Sequence, residues 1–104
     1  MDFESIVDAI LANQVRISDH ADEEATADGL SFDEICFSAI HGEIIEDYPA
    51  YKPLPSCLAL GNTSGGVPVH SVWAYNAEIA WAALITVYRP DPEQWINGRE
   101  RKKP

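Results

Sequence analysis

The chain has 104 residues, 46% of them hydrophobic and 23% charged, with a formal net charge of −10. That is one domain, too apolar to be disordered and long enough to bury about two-thirds of its unfolded surface without staples. The charge argues against tight, nonspecific nucleic-acid binding, no apolar run approaches the roughly 20 residues of a membrane span, and the acidic start Met1-Asp2-Phe3-Glu4 argues against an export signal, so the cytoplasm is the expected location.

Phe3, Ile6, Val7, Ile10 and Leu11 recur at helical spacing behind Asp2, which is placed to cap the helix, and Asn13 is its expected stop. Residues 15–18 alternate and read as a short strand or extended connector. Asp19 is expected to cap a second helix, from His20 to Gly29. Ser31-Phe32-Asp33-Glu34 is a capping box. It opens a third helix whose stripe is Phe32, Ile35, Cys36, Ala39 and Ile40, and which ends at Gly42. From there the period becomes extended. Strands are predicted over residues 43–48, 57–63, 67–75 and 79–88, with Pro49, Pro53 and Pro55 stiffening the first loop and Ser64-Gly65-Gly66 making a hairpin turn. The strand over 79–88 is the longest and most apolar and is expected to lie inside the sheet. Pro90 and Pro92 break regular structure, and Trp95 with the basic tail is expected to close the chain as one helical turn. Helices first and hairpin-linked strands afterwards mean α+β: N-terminal helices on a C-terminal four-stranded antiparallel sheet.

Charge is unevenly spread. Residues 1–48 hold thirteen acids against one base, Arg16, whereas Arg99, Arg101, Lys102 and Lys103 crowd the C-terminus. The tail reads either as a solvated end or as a dock for phosphate or an acidic partner. Cys36 and Cys57 are not in CxxC spacing and are expected to be reduced. Cys36, His41, Cys57 and His70 lack the close ligand pairs of zinc sites, and no P-loop, GxGxxG or GxSxG word occurs, so neither metal nor cofactor is expected.

Strand alternation puts Ser71, Trp73 and Tyr75 on one face and His70, Val72 and Ala74 on the other. The aromatic row reads as core, or as a platform for bases. His20 opens a helix, His41 closes one, and His70 lies mid-strand. Each reads as a satisfied structural or surface histidine. A histidine pair with a basic tail also meets the needs of phosphodiester cleavage, in which one group takes the 2′-hydroxyl proton, another protonates the leaving oxygen and a cation steadies the phosphorane.

Several words in order carry a resemblance: Val15-Arg16-Ile17-Ser18-Asp19-His20, Asp28-Gly29-Leu30, Ile45-Glu46-Asp47-Tyr48-Pro49, Val69-His70-Ser71-Val72-Trp73 and Leu84-Ile85-Thr86-Val87-Tyr88-Arg89-Pro90-Asp91, ending at Trp95 and Arg101. With these the chain resembles the bacterial family DUF4258, from about Val15 onward. The domain is taken as residues 1–104, with 1–14 as an N-terminal helix and 96–104 as a basic tail. That family is similar to the RelE/barnase-like group of ribonuclease toxins, in which a sheet face and the C-terminus cut RNA and many genes pair with an antitoxin gene. The resemblance implies a RelE-like fold and a metal-independent endoribonuclease with an RNA substrate and an antitoxin partner. It implies His20, His70 and Tyr88 as catalytic and Arg99, Arg101, Lys102 and Lys103 as substrate-binding residues. Glu46 and Thr86 also match. Where many members carry two arginines on the second helix, this chain has Glu24 and Asp28, which points to the alternative of a non-catalytic binding module that lost its phosphate site. Under the nuclease reading, His70→Ala is expected to lower cleavage and leave the melting temperature unchanged.

Overall fold

A helix starts where an oxygen can take its first free N–H groups and an apolar stripe follows. The computed structural model describes residues 2–102. In it α1 spans Phe3–Leu11, α2 Asp19–Ala27 and α3 Phe32–Ile40. Asp2 accepts the Glu4 N–H at 3.0 Å and opens α1, and Asn13 leaves the helix with a φ of 59°. The cap of α2 is Ser18 rather than Asp19. Its hydroxyl accepts the Ala21 N–H at 3.0 Å and donates to the Ile85 carbonyl at 2.8 Å, so one side chain both starts the helix and ties it to the sheet. Ser31 and Glu34 form the full capping box of α3.

The strands are β1 (Val15–Ile17), β2 (Glu43–Tyr48), β3 (Ser56–Asn62), β4 (Pro68–Asn76), β5 (Trp81–Tyr88), β6 (Trp95–Ile96) and β7 (Glu100–Arg101). The fold is α+β, but the expected four-stranded antiparallel sheet is overturned. The main sheet has five strands in the order β1-β5-β4-β3-β2, and β1 runs parallel to β5. β6 and β7 form a second, two-stranded sheet. The physical reason for the fifth strand is that Val15–Ile17 satisfies backbone groups of residues 82–84, which would otherwise form an open edge. β5 starts at Trp81 and not at residue 79, because Ala80 takes a φ of 57° and Ile79 stays exposed in the turn.

β1 stops short of the second half of β5, and α2 takes over there. The Val87 N–H donates to Glu24 Oε1 at 3.3 Å and the Arg89 N–H donates to Asp28 Oδ2 at 2.9 Å. The two acids therefore stand in for the carbonyls of a missing strand.

All three helices cover one face of the sheet. Ile6, Ile10, Ala25, Ile35 and Ala39 pack on Cys57, Ala59, Val69, Trp73, Leu84 and Val87. Trp73 is wholly buried there, with its indole N–H donating to Ser71 Oγ at 2.8 Å, so the aromatic row is core. α3 presses its backbone onto β3: a Cβ on Gly61 would lie 1.8 Å from the Ser38 carbonyl oxygen. Both cysteines are free thiols. The opposite face carries a smaller cluster of Leu58, Val72 and Trp95, flanked by Ile45, Tyr48 and Ile85.

Candidate functional site

The site lies on that opposite face. In the antiparallel pair of β4 and β5, His70 stands directly across from Tyr88. Strand alternation turns both side chains away from the helices. His70 is 0% exposed, yet both ring nitrogens are engaged. Nε2 lies 2.6 Å from the Gly98 carbonyl oxygen and Nδ1 lies 3.2 Å from the Tyr88 hydroxyl. A carbonyl only accepts, so Nε2 carries the proton and Nδ1 of the neutral ring accepts from Tyr88. Burial holds the His70 imidazole below its usual value, opposed by the Gly98 carbonyl and the Glu46 charge. Burial also pushes the Tyr88 hydroxyl up.

What buries His70 is the C-terminal segment. The expected single helical turn is not formed. Asn97 and Gly98 take φ values of 54° and 72°, and the Arg99 N–H donates to the Ile96 carbonyl at 3.0 Å. That is the turn an Asn-Gly pair favours between antiparallel strands, and it makes residues 95–101 a hairpin. Trp95, 5% exposed, meets the His70 ring edge-on at 4.4 Å. The Arg101 guanidinium stacks over Trp95 at 4.7 Å from the ring centre. Its Nε and Nη2 donate to the two oxygens of Glu46 at 2.9 and 3.1 Å. The Tyr48 hydroxyl donates to the same carboxylate at 2.5 Å. Hydrogen bonding from Arg101 holds the Glu46 carboxyl below the usual carboxylate range, and burial with the adjacent Glu46 pushes the Tyr48 hydroxyl up to about 12. A groove of about 330 Å³ opens beside the hairpin, lined by Pro68, Pro90, Pro92, Trp95, Asn97 and Gly98.

The sequence-predicted residues are thus distributed unevenly. His70 and Tyr88 touch, and the charge of Arg101 acts on both. Arg99 pairs instead with Glu43 at the start of β2. Lys102 is exposed, with its backbone N–H on the Gln94 carbonyl, and Lys103 lies outside the described residues. His20, with its side chain 70% exposed, sits on α2 with Nε2 3.2 Å from Glu24 Oε1. Glu24 also accepts from the Thr86 hydroxyl, and its charge reaches Tyr88. Trp95, Glu46 and Tyr48 are members of the site to which sequence reasoning gave no role. The Asn97-Gly98 pair was the available signal for the hairpin that brings them together.

A family model described as a domain of unknown function (DUF4258) matches residues 17–89. The chain belongs to the DUF4258 family. The DUF4258 match takes in His20, Glu24, Glu46, His70 and Tyr88, while the hairpin bearing Trp95 and Arg101 follows it. No curated protein and no solved structure matches the chain. Among the described residues, no group of three or more His, Cys, Asp or Glu side chains is placed to hold a metal ion, and no helix is long and apolar enough to cross a membrane.

Proposed function

We propose that this DUF4258 protein is a RelE-like, metal-independent ribonuclease acting in the cytoplasm, the toxin of a toxin–antitoxin pair, with RNA as substrate and an antitoxin protein as partner. The observation that carries the reading is the Tyr88 hydroxyl, backed by the neutral Nδ1 of His70 and lying within the field of the Arg101 guanidinium. As the 2′-oxygen bonds to phosphorus, its proton passes to Tyr88 Oη while Tyr88 gives its own proton to His70 Nδ1. The P–O5′ bond breaks, and His20, exposed beside Glu24, serves as the general acid for the leaving oxygen. Arg101 steadies the charge on the phosphorane. Tyr88, His20 and Arg101 are then the catalytic groups, and His70 acts through Tyr88. The groove beside Trp95 and Asn97 gives room for a nucleotide.

The test is cleavage of single-stranded RNA by purified protein in EDTA. Tyr88→Phe and Arg101→Ala should each lower the rate by roughly 30- to 1000-fold, or about 2–4 kcal/mol of transition-state stabilisation. No cleavage by wild type at micromolar protein, with no growth arrest on induction, refutes the reading. A second reading, the non-catalytic binding module, is favoured by one observation. Arg99 and Arg101 are both paired with carboxylates, and Glu24 and Asp28 are committed to the β5 edge.

A further inference from the structure

The contact between Glu46 and Arg101 has the form of a bound ligand. A carboxylate presents two oxygens to a guanidinium fork much as a phosphate does. Glu46 offers both, and Tyr48 adds a hydroxyl donor to one of them. The pairing also depends on a local distortion of the backbone. The register of β2 against β3 shifts between Ile44 and Glu46, so Ile45 and Glu46 both turn toward the hairpin face. Arg101 is held from the other side by the Trp95 ring, and Trp95 in turn packs on His70. The fork is therefore preorganised, with its charge felt at Tyr88. The Arg101 side chain is 62% exposed and Glu46 25% exposed, so a ligand from solvent can reach both. An ion pair this open adds little to stability, which leaves its two-point geometry and its place to be explained.

We propose that Arg101 and Tyr48 form a binding subsite for the phosphate of a nucleotide chain, and that Glu46 is its resident competitor, an autoinhibitory contact that the ligand must displace. The choice of phosphate rests on the ribonuclease reading, and the geometry of the donors rests on the structure alone. If Glu46 fills the fork more than nine-tenths of the time, the apparent affinity for phosphate is reduced at least about tenfold. Freeing the fork restores it.

The experiment titrates inorganic phosphate into wild type, Glu46→Gln and Glu46→Ala by calorimetry at fixed ionic strength, after thermal melts show that each variant is folded. Both variants should bind phosphate about tenfold or more tighter than wild type, and adding Arg101→Ala to either should abolish the gain. Equal affinity in wild type and both variants overturns the proposal, and so does a gain that survives Arg101→Ala. The readout needs no cleavage. Tighter phosphate binding in an inactive protein keeps the subsite and removes the nuclease, whereas RNA cleavage with no gain from either substitution does the reverse.

Discussion

Replacing His70 by alanine should cost the fold about 2–4 kcal/mol, in contrast to the unchanged melting temperature expected of a surface catalytic histidine. The figure follows from what the imidazole touches. Its Nε2–H is the partner of the half-buried Gly98 carbonyl, and a carbonyl left there without a donor costs about 1–3 kcal/mol. Its ring edge contacts with Trp95 at 4.4 Å and Tyr88 at 5.2 Å are lost too, together about 1 kcal/mol, the low end for aromatic pairs because the imidazole is small. For a domain of this size the drop in Tm is roughly 10–25 °C. The same residue gives the loss a pH signature. Burial keeps His70 neutral in the folded state, so the unfolded chain takes up the proton first as pH falls below about 6.5. Wild-type stability then decreases on acidification from that point, with a slope of up to about 1.4 kcal/mol per pH unit from this group. Glu46 adds a second, small loss in the same direction at lower pH. Its folded carboxyl is held low, so its contribution is complete above the ordinary carboxylate range and disappears as pH falls through the folded value. Urea denaturation at pH 7.5 and pH 5.5 isolates the His70 effect, because the Glu46 loss begins only within the carboxylate range below about pH 5, and the His70→Ala variant should lack the slope that begins near pH 6.5. A cost under about 0.5 kcal/mol at pH 7.5, or identical pH slopes in the two proteins, would show that the hairpin does not lock His70 in place.

Ile35→Ala should destabilise by about 2–5 kcal/mol in the same denaturation assay, because Ile35 is 2% exposed in the middle of the α3 stripe; a loss within error of zero would mean that α3 does not cover the sheet. Cys36 and Cys57 should remain thiols, with an intact mass unchanged by reductant. Burial pushes both up to about 11, so alkylation of the folded protein at pH 7 should be slow and should accelerate on unfolding.

What was legible in the sequence was what short-range chemistry encodes. The Ser31–Glu34 box gave the start of α3 to the residue, because both of its hydrogen bonds are local. Period-two alternation put His70 and Trp73 on opposite faces, and in the structure His70 faces away from the helices and pairs with Tyr88 at the end of β5. Pairing at long range was not legible. Val15–Ile17 is three residues long, and nothing in it names a parallel partner more than 60 residues away. The hairpin was encoded by Asn97-Gly98, but its strands are only two residues each and follow two prolines, so the local pattern read as irregular. The pairing of Arg101 with Glu46 and of Arg99 with Glu43 depends on where the hairpin lands, and the charges on the sequence do not reveal it.

The acids of α2 also bear on misassembly. A bare strand edge is a template on which a foreign strand, or a second copy of the same chain, can grow a sheet into an aggregate. To extend the sheet beyond the second half of β5, an intruder would have to evict Ser18, Glu24 and Asp28 from their backbone partners in turn. Its carbonyl groups would meet carboxylates as they approached, which adds repulsion to the steric barrier. Substituting arginine at Glu24 and Asp28 would remove the acceptors and leave two backbone N–H groups facing outward. The acidic helix therefore acts as a gatekeeper for solubility.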